Sequence, residues 1–142
     1  MNNLSKSILL IILSLSISFS THAEKNLVGK VIWCSIVSDD VVGLQAYKFL
    51  QNGKYEHWGQ SSIVAKSLST GSYSSNFNYI FLHYEAGDIL INRTTLDFTA
   101  KNLTLQNGEN CEVNTPKSND FEKLFDLEYF RILNSAKKLK KI

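Results

Sequence analysis

Two histidines, His57 and His83, stand among serines and carboxylates in the middle of this 142-residue chain. An imidazole beside a carboxylate is the raw material for general acid–base or serine-nucleophile chemistry. Glu56, Glu85, Asp88 and Asp97 are the acids at hand, and two of them held together could act as a glycosidase pair does. The spacing argues against a specific chemistry. There is no H-x-H or H-x-x-x-H, so a zinc pair has no obvious third ligand. No serine sits in G-x-S-x-G, because Gly71-Ser72-Tyr73 lacks the second glycine. No G-x-G-x-x-G or phosphate-binding loop occurs. These side chains read as ordinary strand and turn positions, which predicts a non-enzymatic protein with no cofactor and no metal. A small hydrolase built on His57 or His83 and a nearby carboxylate is the alternative from the enzyme class.

Two cysteines, Cys34 and Cys111, are the other reactive groups. Their even number suggests a disulfide if the chain leaves the cytoplasm. Residues 1–23 predict that it does. Lys6 and the amino terminus supply a positive start, Ile8 to Phe19 an apolar run, and Thr21-His22-Ala23 an A-x-A-like cleavage site. The run has 12 residues, against about 20 needed to span a bilayer, so a cleaved signal is favoured over an anchor. The expected product is exported, periplasmic or secreted, and 119 residues long. That length fits one domain. Residues 24–136 carry 10 basic and 13 acidic groups, whereas Lys137, Lys138, Lys140 and Lys141 crowd the end. Without a further basic cluster, nucleic-acid binding is not expected.

The elements that must position these groups are mostly strands. Lys30 to Val37 is a β-branched and aromatic run closed by Ser38-Asp39-Asp40. Leu44 to Gln51 and Lys54 to Trp58 flank Asn52-Gly53, the dipeptide suited to a two-residue type I′ turn. That turn would set Leu50 opposite Tyr55, Lys48 opposite His57, and Tyr47 opposite Trp58. Ser67 to Asn76, rich in serine, reads as a loop with at most a weak strand. Phe77 to Tyr84 and Ile89 to Ile91 follow as strands around Glu85-Ala86-Gly87-Asp88. Thr94 to Thr99 and Leu103 to Leu105 then flank Ala100-Lys101-Asn102, and a short strand surrounds Cys111 and Val113. The pattern predicts a mainly β fold over 24–116, a small antiparallel β-barrel or sandwich of seven to eight strands.

After Pro116 the period changes. Asn119 with Glu122 has capping-box spacing. Phe121, Leu124, Phe125, Ile132, Ala136 and Leu139 form an apolar stripe, so 117–142 reads as a C-terminal amphipathic α-helix with a basic tail. It is expected to pack on the β domain or close a barrel end. Membrane contact, if any, would come through this helix.

Aromatic side chains are the enriched material for binding. Tyr47, Trp58, Tyr79 and Tyr84 are the candidate contacts for an apolar or sugar ligand, or for a protein partner. Val31 to Val113 resembles, in layout, the periplasmic C-type lysozyme inhibitors, which are exported small β-barrels with a disulfide joining early and late strands. That resemblance implies an inhibitor-like binding role. Ser69-Thr70-Gly71-Ser72-Tyr73 holds the residue types of that family's serine-glycine-tyrosine motif at a different spacing, so no residue role carries over. The reading is therefore an exported binding protein, with an inhibitor-like protein, a small hydrolase and an envelope assembly protein as alternatives.

Overall fold

Antiparallel pairing organises most of the segment 31–114 into one sheet in a computed structural model that describes residues 27–140. The signal segment read at 1–23 lies outside the described residues, as does Lys141. Nine strands run in sequence: β1 (Val31–Val37), β2 (Val42–Phe49), β3 (Lys54–Ser61), β4 (Ser67–Ser75), β5 (Tyr79–His83), β6 (Ile89–Asn92), β7 (Phe98–Ala100), β8 (Leu103–Gln106) and β9 (Cys111–Asn114). Their order is β8-β7-β6-β5-β4-β3-β2-β1-β9, a meander with only β9 out of turn. The sheet curls into a half-barrel, and one helix, α1 (Phe121–Leu139), follows it.

Period-2 alternation sends successive side chains to opposite faces, and both faces are buried over β1 and β2. Inward, Ile32, Cys34, Tyr47, Phe49, Tyr55, Leu82 and Ile91 form the concave core. Outward, Val31, Trp33, Val42, Leu44 and Ala46 meet Phe121, Phe125, Tyr129, Ile132 and Ala136 of α1. The helix thus covers the convex face over β1, β2 and Trp58 of β3, leaves that face open at β4 and β5, and does not cap a barrel end.

Three local expectations are corrected. First, Ser67–Ser75 is a full nine-residue strand where the sequence reads as a loop with at most a weak strand. Its inward positions Ser67, Ser69 and Gly71 are small before the buried Tyr73, and its outward positions Thr70, Ser72 and Ser74 are polar beside the single Leu68, so no sustained apolar alternation marks it. Gly71 is required: a Cβ there would lie 2.6 Å from the Tyr55 ring. With β4 counted, the strands number nine rather than seven or eight.

Second, the β2–β3 hairpin is shifted by one residue. Phe49 faces Tyr55, Lys48 faces Glu56 and Tyr47 faces His57. Leu50 N–H donates to the Lys54 carbonyl at 2.7 Å, so the turn closes over Gln51, Asn52 and Gly53, with Asn52 and Gly53 at φ 60° and 63°. A one-residue slip exchanges faces. It puts Trp58 opposite Ala46 and under the helix, while Phe49 and Tyr55 both enter the concave core. The two-residue turn with positive φ is instead Lys101-Asn102, between paired Ala100 and Leu103.

Third, Asp120 and not Asn119 caps the helix, accepting from the Lys123 N–H at 3.1 Å. Lys66 ties the β3–β4 loop to the first turns of α1 through Glu122 at 2.7 Å and Asp126 at 3.0 Å.

The disulfide between Cys34 and Cys111 is present and joins directly opposed residues of β1 and β9. Just before it, the chain passes from β8 at one sheet edge to β9 at the other through a single 3-10 turn, Gly108–Asn110. Asp97 fixes this crossing. Its carboxylate accepts from the Gly108 N–H at 2.8 Å and from the Thr95 hydroxyl at 2.9 Å, which holds its pKa below the ordinary carboxylate value. Gly108 leaves no room for a side chain, since a Cβ would meet the Thr95 carbonyl oxygen at 1.7 Å. Gly108→Ala should therefore cost about 1–3 kcal/mol by forced displacement of the crossing. It should also raise the Asp97 pKa toward its ordinary value; an unchanged Asp97 titration by NMR would show that the crossing had not moved.

Candidate functional site

The concave face divides into a filled half and an open one. Toward Phe49, Tyr55 and Tyr73 the interior is packed with large side chains. Toward the other end the inward residues of β2, β3 and β4 shrink to Gly43, Gly59, Ser61, Ser67 and Ser69, and a trough of about 300 Å³ opens. Ile36, Gln45, His57, Gly59 and Ser67 line it. The boundary between the halves is a stacked pair, Tyr47 on His57, with centroids 4.4 Å apart and planes 4° from parallel.

Hydrogen bonds hold that boundary in place. The Tyr47 hydroxyl donates to Gln45 Oε1 at 3.0 Å. Burial, with a contribution from Tyr84, raises the Tyr47 pKa, and burial followed by the neighbouring Tyr84 hydroxyl raises that of Tyr55. Both phenols are therefore neutral at pH 7. Burial lowers the His57 pKa, so its imidazole is neutral at pH 7, and among the described residues Nε2 has no hydrogen-bond partner. A buried polar atom without a partner is uncommon and calls for a reason.

The four aromatic candidates separate. Tyr47 is buried in the concave core, and Trp58 packs against α1 with its indole N–H donated to Glu56 Oε2 at 3.2 Å. Tyr79 and Tyr84 remain exposed. Tyr84 stands near Tyr47 and Tyr55, whereas Tyr79 lies on the opposite, convex face beside Phe81. No single site gathers all four.

A second constellation on the convex face has no sequence motif. Ser72 pairs with His83 across β4 and β5, and Ser74 with Phe81, so Ser74 and His83 are diagonal neighbours on one face. Ser74 Oγ lies 3.0 Å from His83 Nε2, and His83 Nδ1 lies 2.9 Å from Asp88 Oδ1. Asp88 comes from the turn before β6. His83 was a candidate in the sequence, and Asp88 one of four acids, but Ser74 was hidden in a segment read as a loop. Placing Ser67–Ser75 on a strand antiparallel to Tyr79–His83 would have exposed the triad. Of the other three acids, Glu56 goes to Trp58 and Lys48, Asp97 to the crossing, and Glu85 is exposed in the turn after β5.

Among the described residues no three His, Cys, Asp or Glu side chains are grouped to hold a metal, and no helix is long and apolar enough to cross a membrane. No family model, curated protein or solved structure matches this chain.

Proposed function

We propose that this is an exported binding domain that takes a small polar ligand, of sugar or polyol type, in the concave trough. Export rests on the signal-like residues 1–23 and is compatible with the Cys34–Cys111 bond, which belongs to oxidising compartments. The observation that carries the ligand reading is the open half of the barrel interior. A strip of glycines and serines keeps it empty next to a neutral imidazole, the Gln45 amide and the Ser67 hydroxyl. Its volume lies at the small end for ligand sites, which pair apolar walls with a few fixed polar groups. Ile36, Val41 and Val64 supply the apolar wall.

Gly59 gives the test. A Cβ at this position would lie 3.5 Å from Ser67 Oγ and 3.9 Å from His57 Nε2, in ordinary contact, so a longer side chain would project into the trough without disturbing the ladder. Titration of the labelled mature protein with mono- and disaccharides by NMR should shift the amides of Gln45, His57 and Ser67. Gly59→Leu should weaken that binding at least tenfold, about 1.4 kcal/mol. Equal binding by the leucine variant, or no shift at the trough with any sugar, would overturn the assignment.

A further inference from the structure

We propose that Ser74 is an activated nucleophile and that Ser74, His83 and Asp88 form an acyl-transfer site for small carboxylic esters with an apolar acyl or aryl group. The site is on the convex face, on the other side of the sheet from the trough, and does not depend on ligand binding there.

Connectivity is the first argument. A serine is a weak nucleophile until a base takes its proton, and the base works when a third group fixes its tautomer. Here the order is complete. Asp88 Oδ1 is 2.9 Å from Nδ1, the nitrogen that must carry the proton, and Ser74 Oγ is 3.0 Å from Nε2, the nitrogen that must accept one. Both distances lie within hydrogen-bond reach for catalysis. Among the described residues His83 Nδ1 has no other hydrogen-bond partner, and Ser74 Oγ none besides Nε2.

The second argument is rigidity with access. Ser74 and His83 stand on paired strands, not on a loop, so the ladder between β4 and β5 fixes their separation. Asp88 is delivered by the turn whose Gly87 has φ +120°, a conformation L side chains rarely adopt. The His83 and Asp88 side chains remain 39% and 42% exposed, so a reactant can approach.

Neighbouring groups set the substrate class. Phe81, directly opposite Ser74, and Tyr79 place two rings 6.3 Å apart beside the nucleophile, an apolar surface for an acyl chain or aryl leaving group. In the reaction Ser74 Oγ bonds to the ester carbonyl carbon as its proton passes to His83 Nε2. The carbon–oxygen bond to the leaving group then breaks, and that oxygen takes the proton from Nε2. Water repeats the sequence, releasing the acid and restoring Ser74.

The purified protein should be treated with a fluorophosphonate, which bonds phosphorus to an activated serine oxygen and releases fluoride, and with p-nitrophenyl butyrate. One adduct per chain is expected, mapped by peptide mass spectrometry to Ser74 and absent in Ser74→Ala. Labelling and p-nitrophenolate release should fall at least about 100-fold in His83→Ala, the lower bound of general-base contributions. Asp88→Asn should lose at least tenfold. Should His83→Ala fail to fold, His83→Gln serves in its place. No adduct at Ser74, adducts only at other residues, or equal labelling of Ser74 in the folded histidine variant would overturn the proposal.

Discussion

Replacing Cys34 and Cys111 together by alanine should lower the unfolding free energy by about 4 kcal/mol, the chain-entropy contribution of a cross-link closing a loop of this length. The two residues are 77 positions apart, and the loop between them holds β2 to β8. Without the bond the unfolded chain recovers that freedom. The folded state loses its tie as well, because β9 is a four-residue edge strand whose neighbour in the sheet is β1. Three of those four residues are exposed, so apolar burial does little to hold it. Small domains have about 5–15 kcal/mol in total, so the variant should sit close to unfolding at 37 °C. Urea titration of wild type with and without reductant, beside the double alanine variant, measures this. Coincident midpoints for oxidised and reduced protein would show that the half-barrel closes without its staple.

Much of this architecture was legible because local and global signals agreed. β1 is β-branched and aromatic, and both of its faces are buried, so its apolar run was an unambiguous strand. The helix announced itself through a stripe that packs as its period requires, although Leu139 and the flanking Leu127 and Phe130 stay exposed. The failures have one cause. In β4 the residues are chosen for what they leave empty: Gly71 yields to the Tyr55 ring, and Ser67 keeps the trough open. Such a strand carries no hydrophobic period, so it read as a loop. The hairpin register failed similarly, since Asn52-Gly53 permits more than one closure and burial of Phe49, Tyr55 and Trp58 decides which forms.

The candidate sites inherit those failures. The trough depends on knowing which face His57 and Gly59 share, and that was wrong by one residue. The triad depends on the β4–β5 register, and a loop with at most a weak strand over Ser67 to Asn76 offers none. Histidines and acids were visible as residue types, but a serine among many has no signature until a strand aligns it with His83.

Phe125→Ala is the second large effect, expected to cost about 3–5 kcal/mol, the range for truncating a buried phenylalanine. Phe125 is fully buried at the centre of the layer between α1 and the convex face. Its ring lies 6.2 Å from that of Trp33 and 5.9 Å from that of Trp58. Polar ties cannot replace it. The Lys66 contacts with Glu122 and Asp126 are exposed and screened by salt, and an isolated 19-residue helix is marginal in water without an apolar surface to dock on. Both tryptophans of the chain lie beneath α1, so their fluorescence reports docking, while circular dichroism reports the helix itself. Loss of docking should shift tryptophan emission to the red and lower the urea midpoint. The concave core around Phe49 and Leu82, which does not touch the helix layer, should persist under milder conditions than are needed to unfold it. An alanine variant with native emission and a native midpoint would mean that α1 is held by contacts other than this aromatic layer.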